Sequence, residues 1–151
     1  MRRATLLRTG LVGSLLVAGL VAEGGGTQEP PPPSRTIELT ARHQGGFRVD
    51  NRPRGASAGD LLGFRETLTS GGRRVGRGHG TCIAISRTLS HCSVTAALSD
   101  GTIVGHFTQD FTKREVTAAI VGGTGAYAAA RGEATVTFGE RANRIVFRLV
   151  D

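Results

Sequence analysis

The chain has 151 residues and a formal net charge of +7, with 19 Lys and Arg residues against 12 Asp and Glu residues. The basic residues are scattered and Trp is absent, whereas a nucleic-acid-binding protein is expected to carry a clustered basic stripe, often with aromatic residues for stacking. The one local cluster, Arg73, Arg74 and Arg77, lies in a Gly-rich segment and is typical of a solvated hairpin tip. We therefore expect no nucleic-acid partner.

The N-terminal segment has the pattern of an export signal. Three arginines, Arg2, Arg3 and Arg8, precede the apolar run Leu11 to Val21, and small residues follow it. The run is short for a transmembrane span. We predict a signal peptide over residues 1–24, a secreted or extracytoplasmic protein and no stable membrane insertion after cleavage. An uncleaved anchor or a buried core helix is the alternative.

Residues 25–34 have a different composition from the rest of the chain. Glycines lead into four consecutive prolines, and nothing apolar is available for burial. Such a composition is typical of a flexible stretch that runs into a stiff polyproline II spacer. We predict a disordered linker over 25–34 and one folded domain over 35–151.

The folded domain reads as a series of short strands. Each apolar run is rich in Thr, Val, Ile and Phe and is bounded by Gly, Asp, Asn or Ser, and none shows a sustained helical period. The one short helix candidate is AYAAA. We predict an all-β fold, an eight-stranded antiparallel barrel, which removes its sheet edges by closure and leaves room for one small ligand. The predicted strands are Thr36 to His43, Leu61 to Leu68, Gly78 to Ser86, Leu89 to Leu98, Thr102 to Phe107, Glu115 to Val121, Glu133 to Phe138 and Arg144 to Val150.

The chain has two cysteines, Cys82 and Cys92. In an exported chain such a pair most often forms a disulfide, and a tight turn near Arg87 would pair the two residues across a hairpin. The alternative is a metal site, because His79 and Cys82 have H-x2-C spacing and His91 adjoins Cys92. Adjacent strand residues point to opposite faces, so the four side chains could not readily converge on one ion. We expect the disulfide and no metal.

A glycine-rich stretch, residues 123–128, has the pattern G-x-G-x-x-A of a dinucleotide-binding loop. A nucleotide-binding fold needs a real helix after the glycines and an acidic residue on a second parallel strand about 20 residues later. Here the alternating strand EATVTF follows almost at once, and the chain ends soon afterwards. We therefore interpret the glycines as a tight reversal between two strands and expect no cofactor.

Several segments resemble one family. The stretch AIVGGTGAYAAARGEATV is similar to the signature of allene oxide cyclase-like and dirigent-like barrels, which have a GGTG or GGSG turn, an aromatic residue and A-R-G or A-x-G before a strand. The resemblance continues through GDLLGFRETL, RRVGRGHGTC and LSDGTIVGHF in the family's order. It implies the eight-stranded antiparallel barrel and covers nearly all of the folded region.

The resemblance also implies a function class. Members of this superfamily act on small hydrophobic molecules as cyclases or isomerases, or steer couplings without chemistry of their own, in a dry lumen without a cofactor. The first hypothesis is an exported isomerase or cyclase, and the second is a dirigent-like or carrier barrel that binds a small ligand. A structural barrel with a filled lumen is the third. Plant relatives are often trimers, so a homo-oligomer is an expected partner state.

Individual residues are carried over from the family's motifs. Glu66 falls where the plant cyclases have a pocket Asn and the dirigents a pocket Asp, so it is the candidate acid or base, with an exposed strand carboxylate opposite Arg65 as the alternative. The glutamate at the end of the first strand in the cyclases has no match here, and His43 occupies the best-aligned position. Cys82 matches a cysteine in the cyclase pocket wall.

Three further residues are candidates for contact with a ligand. Arg131 matches the arginine of the dirigent A-R-G, where it would bind an anionic or phenolic oxygen, or else form a salt bridge. Phe107 would supply part of the aromatic wall. Tyr127 would turn its ring onto a barrel mouth, either to contact the ligand or to act as a packing plug.

Overall fold

The computed structural model describes residues 35–51 and 53–150, and this part of the chain forms one closed antiparallel barrel. The signal peptide predicted over 1–24 and the linker predicted over 25–34 lie outside the described residues. The barrel confirms the predicted fold class. Its strands are β1 (Arg35–Val49), β2 (Leu61–Ser70), β3 (Arg73–Ala84), β4 (Leu89–Leu98), β5 (Gly101–Asp110), β6 (Glu115–Gly125), β7 (Arg131–Thr137) and β8 (Asn143–Val150).

Each strand pairs with its neighbours in the chain, and β1 closes the barrel by pairing with β8. The β4–β5 connection is a hairpin at Asp100-Gly101, a dipeptide typical of tight hairpin turns, with Leu98 opposite Gly101. Within residues 35–51 and 53–150 there is no helix, and hence none long and apolar enough to cross a membrane. The segment AYAAA, the predicted short helix, forms a turn, because only a few residues separate β6 from β7.

The first strand is longer than predicted because it contains a β-bulge. His43 pairs with Glu66 and Gly45 pairs with Arg65, so Gln44 is an extra residue in β1. The glycines that follow suggested a strand end, but Gly45 has φ of 126° and accommodates the bulge, and the strand continues to Val49. Before the bulge, the odd-numbered residues of β1 face the interior of the barrel. After the bulge, the even-numbered residues face the interior.

The third strand begins five residues earlier than predicted. The Gly-rich segment before residue 78 is typical of a hairpin tip, but Gly76 lies within β3 together with Gly78 and Gly80. Large side chains of neighbouring strands occupy the space beside two of them: a Cβ on Gly80 would lie 2.8 Å from Cζ of Phe64, and a Cβ on Gly78 would lie 3.2 Å from Oε2 of Glu66. The glycines are thus packing partners of the β2 side chains.

The glycine-rich stretch extends β6 to Gly125 and then reverses the chain. Gly125 has φ of 59°, a left-handed conformation that favours glycine, and a Cβ there would lie 2.4 Å from the Asp100 carbonyl oxygen. The Ala126 amide donates to that same carbonyl at 2.9 Å. The structure therefore agrees with the interpretation of these glycines as a strand reversal.

The two ends of the barrel are different. The end that carries the β2–β3, β4–β5 and β6–β7 turns, here the closed end, is filled by fully buried side chains, among them Leu39, Leu68, Ile103 and Leu149. The opposite end carries the loops 50–60, 85–88, 111–114 and 138–142. Phe111, in one of these loops, is 54% exposed, and we call this the open end.

Candidate ligand-binding site

The barrel encloses a cavity of about 640 Å³, which reaches from the open end toward the buried side chains of the closed end. Its wall is mainly apolar and includes Phe64, Phe107, Phe138 and Phe147, with Phe111 at the open end. The residues of the wall are His43, Gly46, Phe47, Arg48, Leu62, Gly63, Phe64, Glu66, Leu68, Gly78, His79, Cys82, Cys92, Val94, Thr95, Ala96, Ile103, Gly105, Phe107, Gln109, Phe111, Ala118, Ile120, Ala134, Val136, Phe138, Asn143, Ile145 and Phe147.

Glu66 lies on this wall, in the middle of β2. Strand alternation places it on the same side as Phe64 and Leu68, while Arg65 points to the outside and is exposed. The residue opposite Glu66 on β3 is Gly78, and the absence of a side chain there leaves room for the Glu66 carboxyl group. The structure therefore places Glu66 in the lumen rather than on the outer face opposite Arg65.

The surroundings of Glu66 favour its protonated form. Burial among apolar groups raises the pKa of the Glu66 carboxyl, and this effect outweighs a hydrogen bond and a positive charge that lower it. The hydrogen bond comes from Asn143 Nδ2, 3.2 Å from Glu66 Oε1, and the charge is that of His43. The carboxyl group is thus poised to donate or accept a proton inside the cavity.

His43, the second catalytic candidate, is on the cavity wall directly beside Glu66. It is the Cα partner of Glu66 in the β1–β2 ladder and the last paired residue before the bulge. Its side chain is exposed, and no hydrogen bond joins it to Glu66 among the described residues. The structure brings the two candidates together, and the catalytic role of each stays a prediction.

The disulfide predicted between Cys82 and Cys92 is confirmed. The two residues are directly opposite in the β3–β4 ladder, with Cα atoms 4.0 Å apart, and both line the cavity. Phe107, opposite Cys92 on β5, also lines the cavity and packs against the core. Because the cysteines bind each other, neither is a free thiol ligand for a metal. A disulfide is typical of proteins in an oxidising, extracytoplasmic compartment.

Two other polar groups of the wall were not predicted from the sequence. Asn143 is the hydrogen-bond partner of Glu66, although 77 residues separate them in the chain. Gln109 is 7% exposed and donates from Nε2 to the Asp110 carbonyl at 3.1 Å, which leaves Oε1 without a hydrogen bond from the described residues. No sequence motif marks either residue, because their position depends on the closure of the barrel.

A charged pair stands at the open end. Arg48 Nη2 lies 2.9 Å from Asp60 Oδ2, and Arg48 lines the cavity. Burial by itself would raise the pKa of Asp60, but hydrogen bonds from Arg48, Ser57 and Asn51 outweigh it and the pKa lies below its usual range. Asp60 is therefore ionised at neutral pH.

Tyr127 and Arg131 lie away from this wall. Tyr127 is 4% exposed at the closed end, where its hydroxyl donates to Asp100 Oδ2 at 3.1 Å and accepts from Arg35 Nη2 at 3.2 Å. The Arg35 guanidinium lies over its ring, 4.6 Å from the centroid. Arg131 is exposed at the start of β7. The geometry of Tyr127 is that of a plug, and ligand contact by either residue stays a prediction.

Comparison with solved structures confirms the resemblance at the level of the fold. The chain is 27% identical to a protein described as pyocyanin demethylase, with a TM-score of 0.71 over 77% of this chain and 100% of that one. It is 17% identical to AbnU, an exo-specific intermolecular Diels-Alderase, with a TM-score of 0.62 over 76% of this chain and 96% of AbnU.

A third similar structure is a pterocarpan synthase dirigent protein, 21% identical, with a TM-score of 0.58 over 74% of this chain and 80% of that one. No protein-family model matches the sequence, and a search of curated proteins found no match. The chain therefore has a cyclase/dirigent-like barrel fold, which in these neighbours carries enzymatic and dirigent roles.

Proposed function

We propose that this protein is an exported barrel that binds a small hydrophobic molecule in its cavity and transfers a proton to or from it through Glu66, as an isomerase or cyclase without a cofactor. One observation carries the proposal: a carboxyl group with a raised pKa faces a cavity of about 640 Å³ whose wall includes Phe64, Phe107, Phe138 and Phe147. Aromatic rings and one acid on the same cavity wall favour a flat apolar molecule with a transferable proton.

The chemistry follows from the position of the acid. A carboxylate in an apolar cavity is poorly solvated, which strengthens it as a base toward a proton of the bound molecule. The protonated Glu66 then returns the proton to another atom of the same molecule, so that bonds are rearranged with no net loss of atoms. Asn143, bound to Oε1, holds the carboxyl group in place during both steps.

The similar structures support a small-molecule function. The demethylase aligns over its whole length, and its name and that of the Diels-Alderase describe reactions of organic molecules. The disulfide, which is typical of oxidising compartments, supports secretion after removal of the predicted signal peptide.

Ligand binding is tested with N-phenyl-1-naphthylamine, a neutral apolar dye that fluoresces in apolar surroundings. We expect the wild-type protein to bind it and Ala118→Phe, which fills the cavity from β6, to lose most of the binding. Ala119→Phe is the matched control, because the neighbouring residue is exposed on the outer face. Should Ala118→Phe fail to fold, Ile120→Phe makes a smaller change on the same wall. Equal binding by the lumen and outer-face variants would refute the proposed site.

Proton transfer is tested with 5-nitrobenzisoxazole, from which a base removes the ring C–H proton while the N–O bond breaks to give a cyanophenolate. We expect the protein to accelerate this opening and Glu66→Gln to lose the acceleration, about 100-fold or more if Glu66 is the base. Glu38→Gln removes an exposed carboxylate and serves as the control. If dye binding persists while Glu66→Gln keeps the full rate, the barrel is the non-catalytic carrier or dirigent-like protein of the second hypothesis.

A further inference from the structure

The Arg48–Asp60 pair at the open end has no part in proton transfer by Glu66, yet it is the most elaborate polar structure of the barrel. Asp60 is 2% exposed and accepts four hydrogen bonds: from Arg48, from the amides of Asn51 and Ser57, and from the Ser57 hydroxyl. The Asp60 carbonyl also accepts a hydrogen bond from the Ala84 amide of β3 at 2.8 Å, and the neighbouring Gly59 amide donates to the Ala84 carbonyl at 2.8 Å. Because four hydrogen bonds hold the Asp60 carboxylate in place, it also holds its binding partner in a fixed position.

What Asp60 binds is an arginine that the bulge has turned toward the cavity. If β1 continued from Ala41 and His43 in regular alternation, with no bulge at Gln44, residue 48 would lie on the outer face. With it, Arg48 lies opposite Leu62 on the inner side and becomes part of the cavity wall. Bulges commonly re-aim a side chain beside a functional site.

The guanidinium has unused hydrogen-bonding capacity. Arginine has five N–H donors, and among residues 35–51 and 53–150 its one hydrogen-bonding partner is Asp60, through Nη2. Asp60 in turn has four donors and little exposure, so its own charge is already satisfied. The remaining N–H groups of Arg48 are available to an acceptor at the mouth of the cavity.

The charged residues around the mouth of the cavity favour an anionic acceptor. The described parts of the four loops at the open end carry Arg54, Arg87, Lys113, Arg114 and Arg141 against Asp50, Asp60 and Glu140. The adjoining strand ends add Arg48 against Asp110 and Glu115, so cations outnumber anions by one around the mouth, and the best-buried anion, Asp60, is already paired. Deeper in the cavity the wall is apolar, and an anion there would lose its hydration without a partner.

We infer that the natural ligand has a hydrophobic body that enters the cavity and one anionic group, such as a carboxylate or sulfonate, that stays at the open end on Arg48. This inference rests on the proposed binding cavity and deepens it by assigning a ligand class and a specificity-determining residue. Asp60 acts through Arg48, as the group that holds the guanidinium in position.

The test compares two dyes that share one skeleton. 8-Anilinonaphthalene-1-sulfonate differs from N-phenyl-1-naphthylamine by its sulfonate, and competition between the two shows whether they share the cavity. We expect wild-type protein to bind the sulfonate dye more tightly, and Arg48→Gln to weaken that dye by about fivefold while the neutral dye is unchanged. Arg48→Lys keeps the charge and should retain part of the preference.

Arg87→Gln is the matched control, because it removes an exposed arginine from a loop of the same end that does not line the cavity. Equal losses for both dyes in Arg48→Gln, or the same selective loss in Arg87→Gln, would overturn the inference. A variant that melts earlier but keeps its dye preference would show that the pair only fastens the loop. If neither dye binds the wild-type cavity, the proposed function itself fails.

Discussion

The closed and open ends of the barrel use the same kinds of side chain in opposite ways. At the closed end, the single tyrosine is 4% exposed, its hydroxyl both donates and accepts a hydrogen bond, and a guanidinium covers its ring. At the open end, Phe111 is 54% exposed and an arginine of the cavity wall keeps most of its N–H groups free. At the closed end, the hydrogen bonds and apolar contacts are satisfied within the protein. At the open end, apolar surface is exposed and hydrogen-bond donors are free.

This difference separates stability from function along the barrel. Substitutions at the closed end should lower the free energy of unfolding with little effect on a ligand, and substitutions of the cavity wall should change binding and proton transfer at a smaller cost in stability. The predictions below test that separation.

Truncation of the plug should have the largest effect. Tyr127→Ala removes a buried ring and its two hydrogen bonds, and we expect a loss of about 3 to 5 kcal/mol in the free energy of unfolding. Denaturant titration measures it. Phe111→Ala, an exposed aromatic at the open end, should change stability by about 0.5 kcal/mol or less. Similar losses in the two variants would show that the ends do not differ.

Removal of the disulfide should come second. The bridge closes a loop with a sequence separation of 10, for which the chain-entropy model gives about 2 to 3 kcal/mol. We expect the Cys82→Ser, Cys92→Ser double variant to lose about that much in denaturant titration. Thiol titration of the unreduced wild-type protein should find no free thiol, and two free thiols would contradict the bridge.

A methyl group placed beside Glu66 should have a smaller effect on stability. In Gly78→Ala the new Cβ would lie 3.2 Å from Glu66 Oε2 and 3.4 Å from the Leu68 side chain, so the carboxyl group must shift. We expect a loss of about 1 kcal/mol and an altered pH profile of benzisoxazole opening. Gly105→Ala makes contacts of 3.3 and 3.4 Å elsewhere on the wall. A pH profile changed equally by both would argue against a special place for Glu66.

The smallest effect is a pH dependence with a definite sign. Burial raises the pKa of Glu66 in the folded chain, so its contribution to stability is complete below the unfolded pKa and is lost as the pH rises through the folded pKa. Glu66→Gln cannot ionise, and we expect it to melt higher than the wild type near about pH 8, with the difference vanishing toward about pH 4. Thermal melts across this range measure it, and a difference that grows on acidification would contradict the burial.

Much of this architecture was predictable from local patterns. The period-two alternation of EATVTF, the Asp-Gly turn and the ten-residue spacing of the cysteines each depend on neighbours in the chain, and the strands, the hairpin and the disulfide follow them. The bounds of β1 and β3 were missed because glycine occurs both in turns and within strands. In isolation Gly45 and Gly76 indicate turns, whereas in the sheet Gly45 accommodates a bulge and Gly76 packs against Ala97 and Leu98 of β4.

The sequence by itself determined the all-β fold, the strand order and Glu66 as the acid to examine, because these depend on residue type, spacing and a family resemblance. Only the tertiary structure decided that Asn143 meets Glu66, that phenylalanines of separate strands share one wall, and that a bulge turns Arg48 inward against Asp60. The Asn143–Glu66 contact and the shared wall exist only after β1 pairs with β8, since closure of the barrel brings residues that are distant in the chain to a common interior. The inward position of Arg48 depends instead on the register between β1 and β2, which no local pattern specifies.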